Sequence, residues 1–293
     1  MIVKTQCLPK HEQRVPFVLV ANQRLLLMPL GDIHFMAKGF PADKLRDHIA
    51  WGLDRGAMFL GMGEYLDFAS QSQREQVAPL RDSVREQLDN MIMEQADELY
   101  QLLKPTEGRW LGLLEGDHRW DFVDGTSVDQ YIAKQLRTQF LGTSALIRLK
   151  PNDEPRGHPE ADTVIYCHHG IGSSRAAGGH LNRVEDLLKW IAADIYLMGH
   201  SHAKVAAPID MQVITPDGKH HHRTKIIART GAWLCGYASH EPLGLDEPVM
   251  DSRGSYVEQK AYPPASLGGL CIGVGYEKIK DSAYYRPTLH VSI

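Results

Sequence analysis

Five separate points in the chain set Asp, Glu or His beside a small residue at the end of a short apolar run. They are Asp32 and His34 after Gly31, Glu64 after Gly63, Asp117 and His118 after Gly116, His168 and His169 before Gly170, and His200 and His202 after Gly199. A mixture of carboxylates and imidazoles suits Mn²⁺, Fe or Zn²⁺ better than the all-oxygen shells of Ca²⁺ or Mg²⁺. The groups suffice for two ions. Two metals about 3.5–4 Å apart need a bridging carboxylate or solvent, with further nitrogen and oxygen ligands for each ion. The pairs Asp32/His34 and His200/His202 are spaced i, i+2, so an extended backbone would point both members of a pair to one side.

The intervening sequence supplies elements that can hold these groups. Arg24–Leu30, Ala57–Met62, Arg109–Leu114, Asp162–Cys167 and Asp194–Met198 read as buried strands, each running into one of the five turns. Pro29 argues against full pairing of the first as a central strand. Helical periodicity marks Pro41–Gly56, Gln73–Lys104 with an interior Pro79, Ser127–Phe140 and Leu181–Ile191. Val15–Ala21 and Ala145–Leu149 read as further strands, and Pro151–Pro159 as a polar turn region. Met211–Ile214 and Thr224–Ala228 flank the turn signal Pro216-Asp217-Gly218 and form a hairpin, and the last sixty residues read as short antiparallel strands such as Leu270–Val274. Alternating strand and helix followed by a β-rich tail predicts a layered α/β fold. In such a fold side chains at successive strand carboxyl ends converge on one crevice.

Composition narrows the function. With 43% hydrophobic and 23% charged residues among 293, the chain belongs with ordinary globular proteins. Its 32 basic against 36 acidic residues exclude holding duplex nucleic acid by bulk charge alone. No apolar stretch reaches the roughly 18 residues of a membrane span, which predicts no membrane partner. Cys7, Cys167, Cys235 and Cys271 are scattered, with no disulfide framework or thiolate zinc site, which fits a reducing cytoplasm.

In order, Gly31-Asp32-Ile33-His34, Gly63-Glu64-Tyr65-Leu66-Asp67, Gly116-Asp117-His118, His169-Gly170 and Gly199-His200-Ser201-His202 resemble the five motifs of the calcineurin-like metallophosphoesterases, written D-x-H, G-D-x-x-D, G-N-H-D/E, H and G-H-x-H. The stretch Val164–His202 looks especially like bacterial and phage members. The resemblance implies a metallophosphoesterase-type double β-sheet sandwich flanked by helices, one domain over residues 1–293. The ligand motifs would lie within 31–202 and a β-rich part over 203–293. It also implies two divalent ions, Mn²⁺ first, with Fe or Zn²⁺ as alternatives. Asp32, His34 and His202 would hold one ion, Asp117, His169 and His200 the other, and Glu64 would bridge. The spacing before Gly170 favours His169 as the ligand, while His168 stays a candidate for the metal, for support or for substrate.

Metal-activated hydroxide would attack phosphorus in line, and His118 would stabilise or protonate the leaving group. Arg119 and Arg175 are candidate contacts to substrate phosphate, as is Arg183. Three residues depart from the family pattern: Glu64 stands in place of Asp, Asp117 in place of Asn, and Arg119 in place of an acidic residue. The implied substrate is a phosphodiester in nucleic acid or a nucleotide. Hydrolysis of phosphomonoesters or phosphoproteins, and a metal-binding scaffold without catalysis, are the alternatives. His220-His221-His222 reads as a solvated hairpin end, with a basic patch over Lys219–Lys225 as the other reading.

Overall fold

The computed structural model describes residues 17–37, 39–68, 82–152, 161–172, 174, 176, 178–214, 218, 220–237, 256–259, 261, 263–280 and 285–293. Short apolar runs become strands and three-to-four-residue periods become helices, since each arrangement buries side chains while pairing the backbone's own polar groups. In chain order the strands are β1 (Phe17–Val20), β2 (Arg24–Leu30), β3 (Met58–Gly61), β4 (Trp110–Leu114), β5 (Phe140–Gly142), β6 (Ser144–Pro151) and β7 (Thr163–His168). They continue with β8 (Ile195–Met198), β9 (Lys204–Ile214), β10 (His220–Ala232), β11 (Gly268–Gly269), β12 (Cys271–Lys278) and β13 (Tyr285–Ser292). The helices are α1 (Ala42–Asp54), α2 (Asp82–Leu103), α3 (Val128–Gln135), α4 (Gly179–Asp186) and the short α5 (Tyr256–Gln259).

The architecture is α/β with two mixed sheets. Six strands run in the order β13-β12-β2-β3-β4-β5, and a seven-stranded sheet has the order β1-β6-β7-β8-β10-β11 with β9 paired to β10. Strands β2 to β5 are mutually parallel, as are β7, β8 and β10, so their carboxyl ends lie along a common edge of each sheet. Alternate residues of a strand serve opposite faces. Leu27, Leu60 and Leu111 join Ile165, Leu197 and Ala228 in one buried cluster drawn from both sheets. Their neighbours Met28, Phe59 and Trp110 instead meet Leu45 and Ile49 of α1, Ile92 and Ala96 of α2 and Ile132 of α3. Val184 of α4 packs with Tyr166, Tyr196 and Ile227 against the other sheet.

Several elements differ from their sequence signals. Pro29 lies in a strand paired on both sides, yet it costs no ladder bond. Leu30 O accepts from Met62 N–H, so by alternation residue 29 faces β12, whose pairing with β2 ends at Leu27. The helical period over Ser127–Phe140 overruns the helix. Ser127 does start α3 through a capping box with Gln130, but the helix ends at Gln135, Arg137 turns left-handed at φ 52°, and Phe140 opens β5. The period over Leu181–Ile191 likewise shortens to α4 and a single 3₁₀ turn, Leu187–Lys189. The hairpin of β9 and β10 is longer than its apolar cores suggested, pairing from Ile214↔His220 to Lys204↔Thr230.

Residues 73–81 of the expected long helix, with Pro79, lie outside the described residues, as do 153–160, Pro216-Asp217, Lys219 and Cys7. Cys167, Cys235 and Cys271 are free thiols. Among the described residues no helix is long and apolar enough to cross a membrane.

Candidate metal centre

The turns after β2, β3 and β4 of one sheet and after β7 and β8 of the other come together. Backbone bonds stitch them. Asp32 N–H donates to Gly63 O at 2.9 Å, Ile33 N–H to Glu64 O at 2.8 Å and Gly199 N–H to His169 O at 2.7 Å. The sheets are joined at the site itself, where His200 N–H donates to the Asp32 carboxylate at 2.9 and 3.2 Å. Glycine makes this approach feasible. Gly63 sits at φ 92°, and a Cβ there would lie 2.6 Å from His169 Nδ1, while a Cβ on Gly116 would meet Glu64 N at 2.3 Å.

Three groups of donor atoms result among the described residues, each with its members within 4.8 Å of one another: Asp32, His34, Glu64 and His202; Glu64, Asp117, His169 and His200; and, at the rim, His34, Asp67 and His118. Glu64 belongs to the first two. Its Oε2 is 2.9 Å from His34 Nε2 and its Oε1 is 3.4 Å from His169 Nε2. In the first group His34 Nε2 also lies 3.0 Å from His202 Nε2, and His202 Nε2 lies 3.8 Å from Asp32 Oδ1. In the second, Asp117 Oδ1 is 3.1 Å from His169 Nε2 and Asp117 Oδ2 is 3.3 Å from His200 Nδ1. The pair Asp32/His34 thus serves the first group together, while His200/His202 divides between the first two groups instead of serving one side.

Left-handed backbone runs through these turns. Asp32, His34, Glu64, His200 and His202 have φ of 49°, 51°, 53°, 66° and 55°. Each such residue costs on the order of 1–2 kcal/mol. Five together rival the ~5–15 kcal/mol net stability of a whole domain. Strain of this size persists only where surrounding bonds over-determine the turn, and it concentrates at functional sites.

The electrostatics are those of acceptors crowded until positive charge must lie between them. Burial opposes charge on His169, yet Asp117 and Glu64 hold its pKa well above the usual imidazole range. Burial also opposes charge on His34, but the carboxylates of Asp67 and Glu64 carry it up to about 10. Burial would raise Glu64, and His169 and His34 instead bring it down to about 2. Asp117 likewise falls below the usual carboxylate range, because His169 and His200 outweigh its burial. Asp32 rises to about 6 through burial and the neighbouring Glu64, and His202 falls to about 3 through burial and the charge on His34.

This donor set fits divalent cations. His169 Nδ1 is 2.7 Å from Met62 O, an acceptor only, so Nδ1 carries the proton and Nε2 faces Asp117 and Glu64. The buried Glu64 Oε1 and His200 Nδ1 make no well-aligned hydrogen bond, lying 3.4 Å from His169 Nε2 and 3.3 Å from Asp117 Oδ2 respectively, which leaves them open to a cation.

The remaining sequence candidates divide. His118 sits at the rim, one-third exposed, with Nδ1 3.4 Å from Asp67 Oδ1 and 3.8 Å from Glu64 Oε1. His168 joins none of the donor groups: as the last residue of β7 it faces away from its neighbour, and its Nδ1 accepts from Gly170 N–H at 2.8 Å. The Arg119 guanidinium is held by Glu115 at 3.0 Å and Asp121 at 3.1 Å, so much of its charge is already answered. Arg175 lies outside the described residues, and Arg183 is exposed on α4. His220 and His222 open β10, exposed, with rings 5.8 Å apart.

Three further residues shape the centre without having been singled out. Asp67, the last residue of the second motif, lies against both His34 (3.3 Å) and His118. Arg229 and Asp129 are buried polar groups in otherwise apolar layers, a signal that needs the fold to be read.

Asp129, in the first turn of α3, accepts from Gly116 N–H at 2.8 Å and so fixes the turn carrying Asp117 and His118. Burial pushes its carboxyl up to about 7 from 3.8. Between those values the folded chain keeps a proton that the unfolded chain has released, so this group's contribution falls as pH rises from about 4 to 7 and then stays level. Asp129→Asn, neutral and of the same shape, is expected to gain stability over the parent across that window, by up to ~4 kcal/mol, and to hold the gain above it. Urea unfolding in chelator at pH 5 and pH 8 measures this; equal differences at the two pH values would contradict it.

No family model matches the chain, and no curated protein matches it. Among solved structures, a conserved uncharacterized protein from Streptococcus pneumoniae, described as a predicted phosphoesterase, is similar at 11% sequence identity and a TM-score of 0.31, over 91% of this chain and 88% of that one.

Proposed function

We propose that the chain is a dinuclear-metal phosphoesterase of the calcineurin-like metallophosphoesterase type, a bacterial or phage-like member. Its two sheets would form the double sandwich of one domain, and it would hydrolyse a phosphodiester in nucleic acid or a nucleotide. The observation carrying this reading is Glu64, one carboxylate with an oxygen in each of two donor groups. Asp32, His34 and His202 would hold one ion and Asp117, His169 and His200 the other. Mn²⁺ suits the mixed set, with Fe or Zn²⁺ as alternatives. When bound, such ions supply Lewis acidity at the phosphoryl oxygens and lower the pKa of water.

The protein's own groups do the rest. Asp67 and burial act in opposite senses on His118, and Asp67 prevails, raising its pKa. His118 donates a proton to the departing oxygen. Three carboxylates, Asp32, Glu64 and Asp117, set against two divalent ions leave about one net positive charge. That balance favours a monoanionic diester over a dianionic monoester. The chain's net charge of −4 favours a nucleotide or single strand over an extended duplex. The free thiols support a reducing cytoplasm.

Metal analysis after Mn²⁺ loading, followed by hydrolysis of bis-p-nitrophenyl phosphate and p-nitrophenyl phosphate, tests the reading. Two ions per chain and faster diester hydrolysis are expected. Two ions with a faster monoester would leave a phosphomonoesterase, two ions with neither reaction a scaffold, and no bound ion would end the proposal.

A further inference from the structure

Residue 229 breaks the apolar pattern of β10. Along this strand Ile226 and Ala228 enter the cluster shared by the two sheets, while Ile227 faces α4 with Tyr166, Val184 and Tyr196. Alternation assigns residue 229 to the Ile227 side, where an apolar side chain is due. The position holds an arginine only 2% exposed. Burying a guanidinium costs several kcal/mol unless its N–H groups and charge are answered. Both recorded acceptors are backbone carbonyls: Nε donates to His180 O at 2.9 Å and Nη1 to Gly199 O at 2.8 Å.

Those two carbonyls locate the arginine's work. His180 lies in the first turn of α4, and Gly199 opens the turn to His202. The strand registers set Arg229 opposite Met198, the last residue of β8 before that turn, and Val205, near the start of β9 after it. Gly199 is thereby pinned on both sides, since its N–H donates to His169 O while its carbonyl accepts from Arg229. The next residue, His200, donates its N–H to Asp32. A single guanidinium thus anchors a strained turn that carries one candidate ligand for each of the two four-membered donor groups.

We infer that Arg229 is a positioning residue that locks the Gly199–His202 turn, so that one buried side chain sets the affinity of both ion positions. The inference rests on the two-ion reading. Burial lowers the Arg229 pKa to about 10, so the charge persists at neutral pH. A lysine would keep that charge but would lack the rigid fork that reaches two carbonyls at once.

Calorimetric Mn²⁺ binding to the full chain, its Arg229→Lys and Arg229→Met variants and an Ile227→Ala control from the same layer tests this, alongside amide exchange of residues 199–202 in chelator. Both Arg229 variants are expected to bind each ion about tenfold or more weakly and to exchange the His200 amide faster, while Ile227→Ala loses stability but stays within about threefold of parental affinity. Folded Arg229 variants with parental affinity and exchange would overturn the inference. So would an Ile227→Ala control that loses as much affinity, or failure of both Arg229 variants to fold, since either would make the arginine a general structural support. A parental chain that binds no ion defeats the two-ion reading instead, and the exchange measurement still decides whether Arg229 locks the turn.

Discussion

Glu64→Gln is expected to release at least one of the two ions and to slow hydrolysis of bis-p-nitrophenyl phosphate on the order of 10³-fold or more. The substitution keeps the shape of a side chain that is 3% exposed, so the loss should come from charge rather than from a cavity. Among the described residues Glu64 is the one carboxylate with an oxygen in each of the two four-membered donor groups. Replacing one of its oxygens by an NH₂ turns an acceptor into a donor facing either His34 Nε2 or His169 Nε2. Whichever way the amide turns, both groups lose the shared negative charge and one also loses its oxygen donor. The loss cannot be made good by shifting the backbone, because residue 64 is held left-handed at φ 53° between Gly63 and the Gly116 turn. Metal analysis with the rate measurement checks this, and a variant retaining two tightly held ions at parental rate would show that Glu64 does not bridge.

Much of this centre is legible in the sequence because the informative residues are local. A strand that ends in glycine followed by Asp, Glu or His can be recognised turn by turn, and parallel strands then bring the turns together whatever their separation in the chain. Strands β2, β3, β4, β7 and β8 and helix α1 follow their apolar patterns to within a residue or two. What the pattern hides is backbone handedness. Spacing i, i+2 on an extended backbone suggested that each pair acts on one side; both pairs are left-handed instead, and Asp32/His34 stays in one group while His200/His202 parts. Pro29 misled for a related reason: its missing N–H matters only on the side where β12 continues to pair, and β12's pairing stops at Leu27. Arg229 and Asp129 look like ordinary surface charges in the sequence. Their meaning comes from apolar layers and from the Gly199 and Gly116 peptides that they hold, contacts between residues 30 and 13 positions apart.

The His118→Ala variant is expected to keep both ions and lose 10²- to 10⁴-fold in rate, about the usual yield of a positioned general acid. The loss should depend on the leaving group. p-Nitrophenolate departs readily without a proton, so the deficit should be small for bis-p-nitrophenyl phosphate and large for an alkyl or nucleoside leaving group. A residue that only shaped the pocket would lower both rates alike. The pH profile gives a second reading. Asp67 raises the His118 pKa, and His118 and His34 in turn hold Asp67 below the usual carboxylate range. On the proton-donor reading the acid form of His118 is the active one, so parental activity should fall as pH rises through its pKa, and the alanine variant should lose this alkaline limb. Asp67→Asn should move the limb to lower pH, since it removes the anion that favours the charged imidazole. An alkaline limb unchanged in both variants would take the proton-donor role away from His118 and leave it a bystander at the rim.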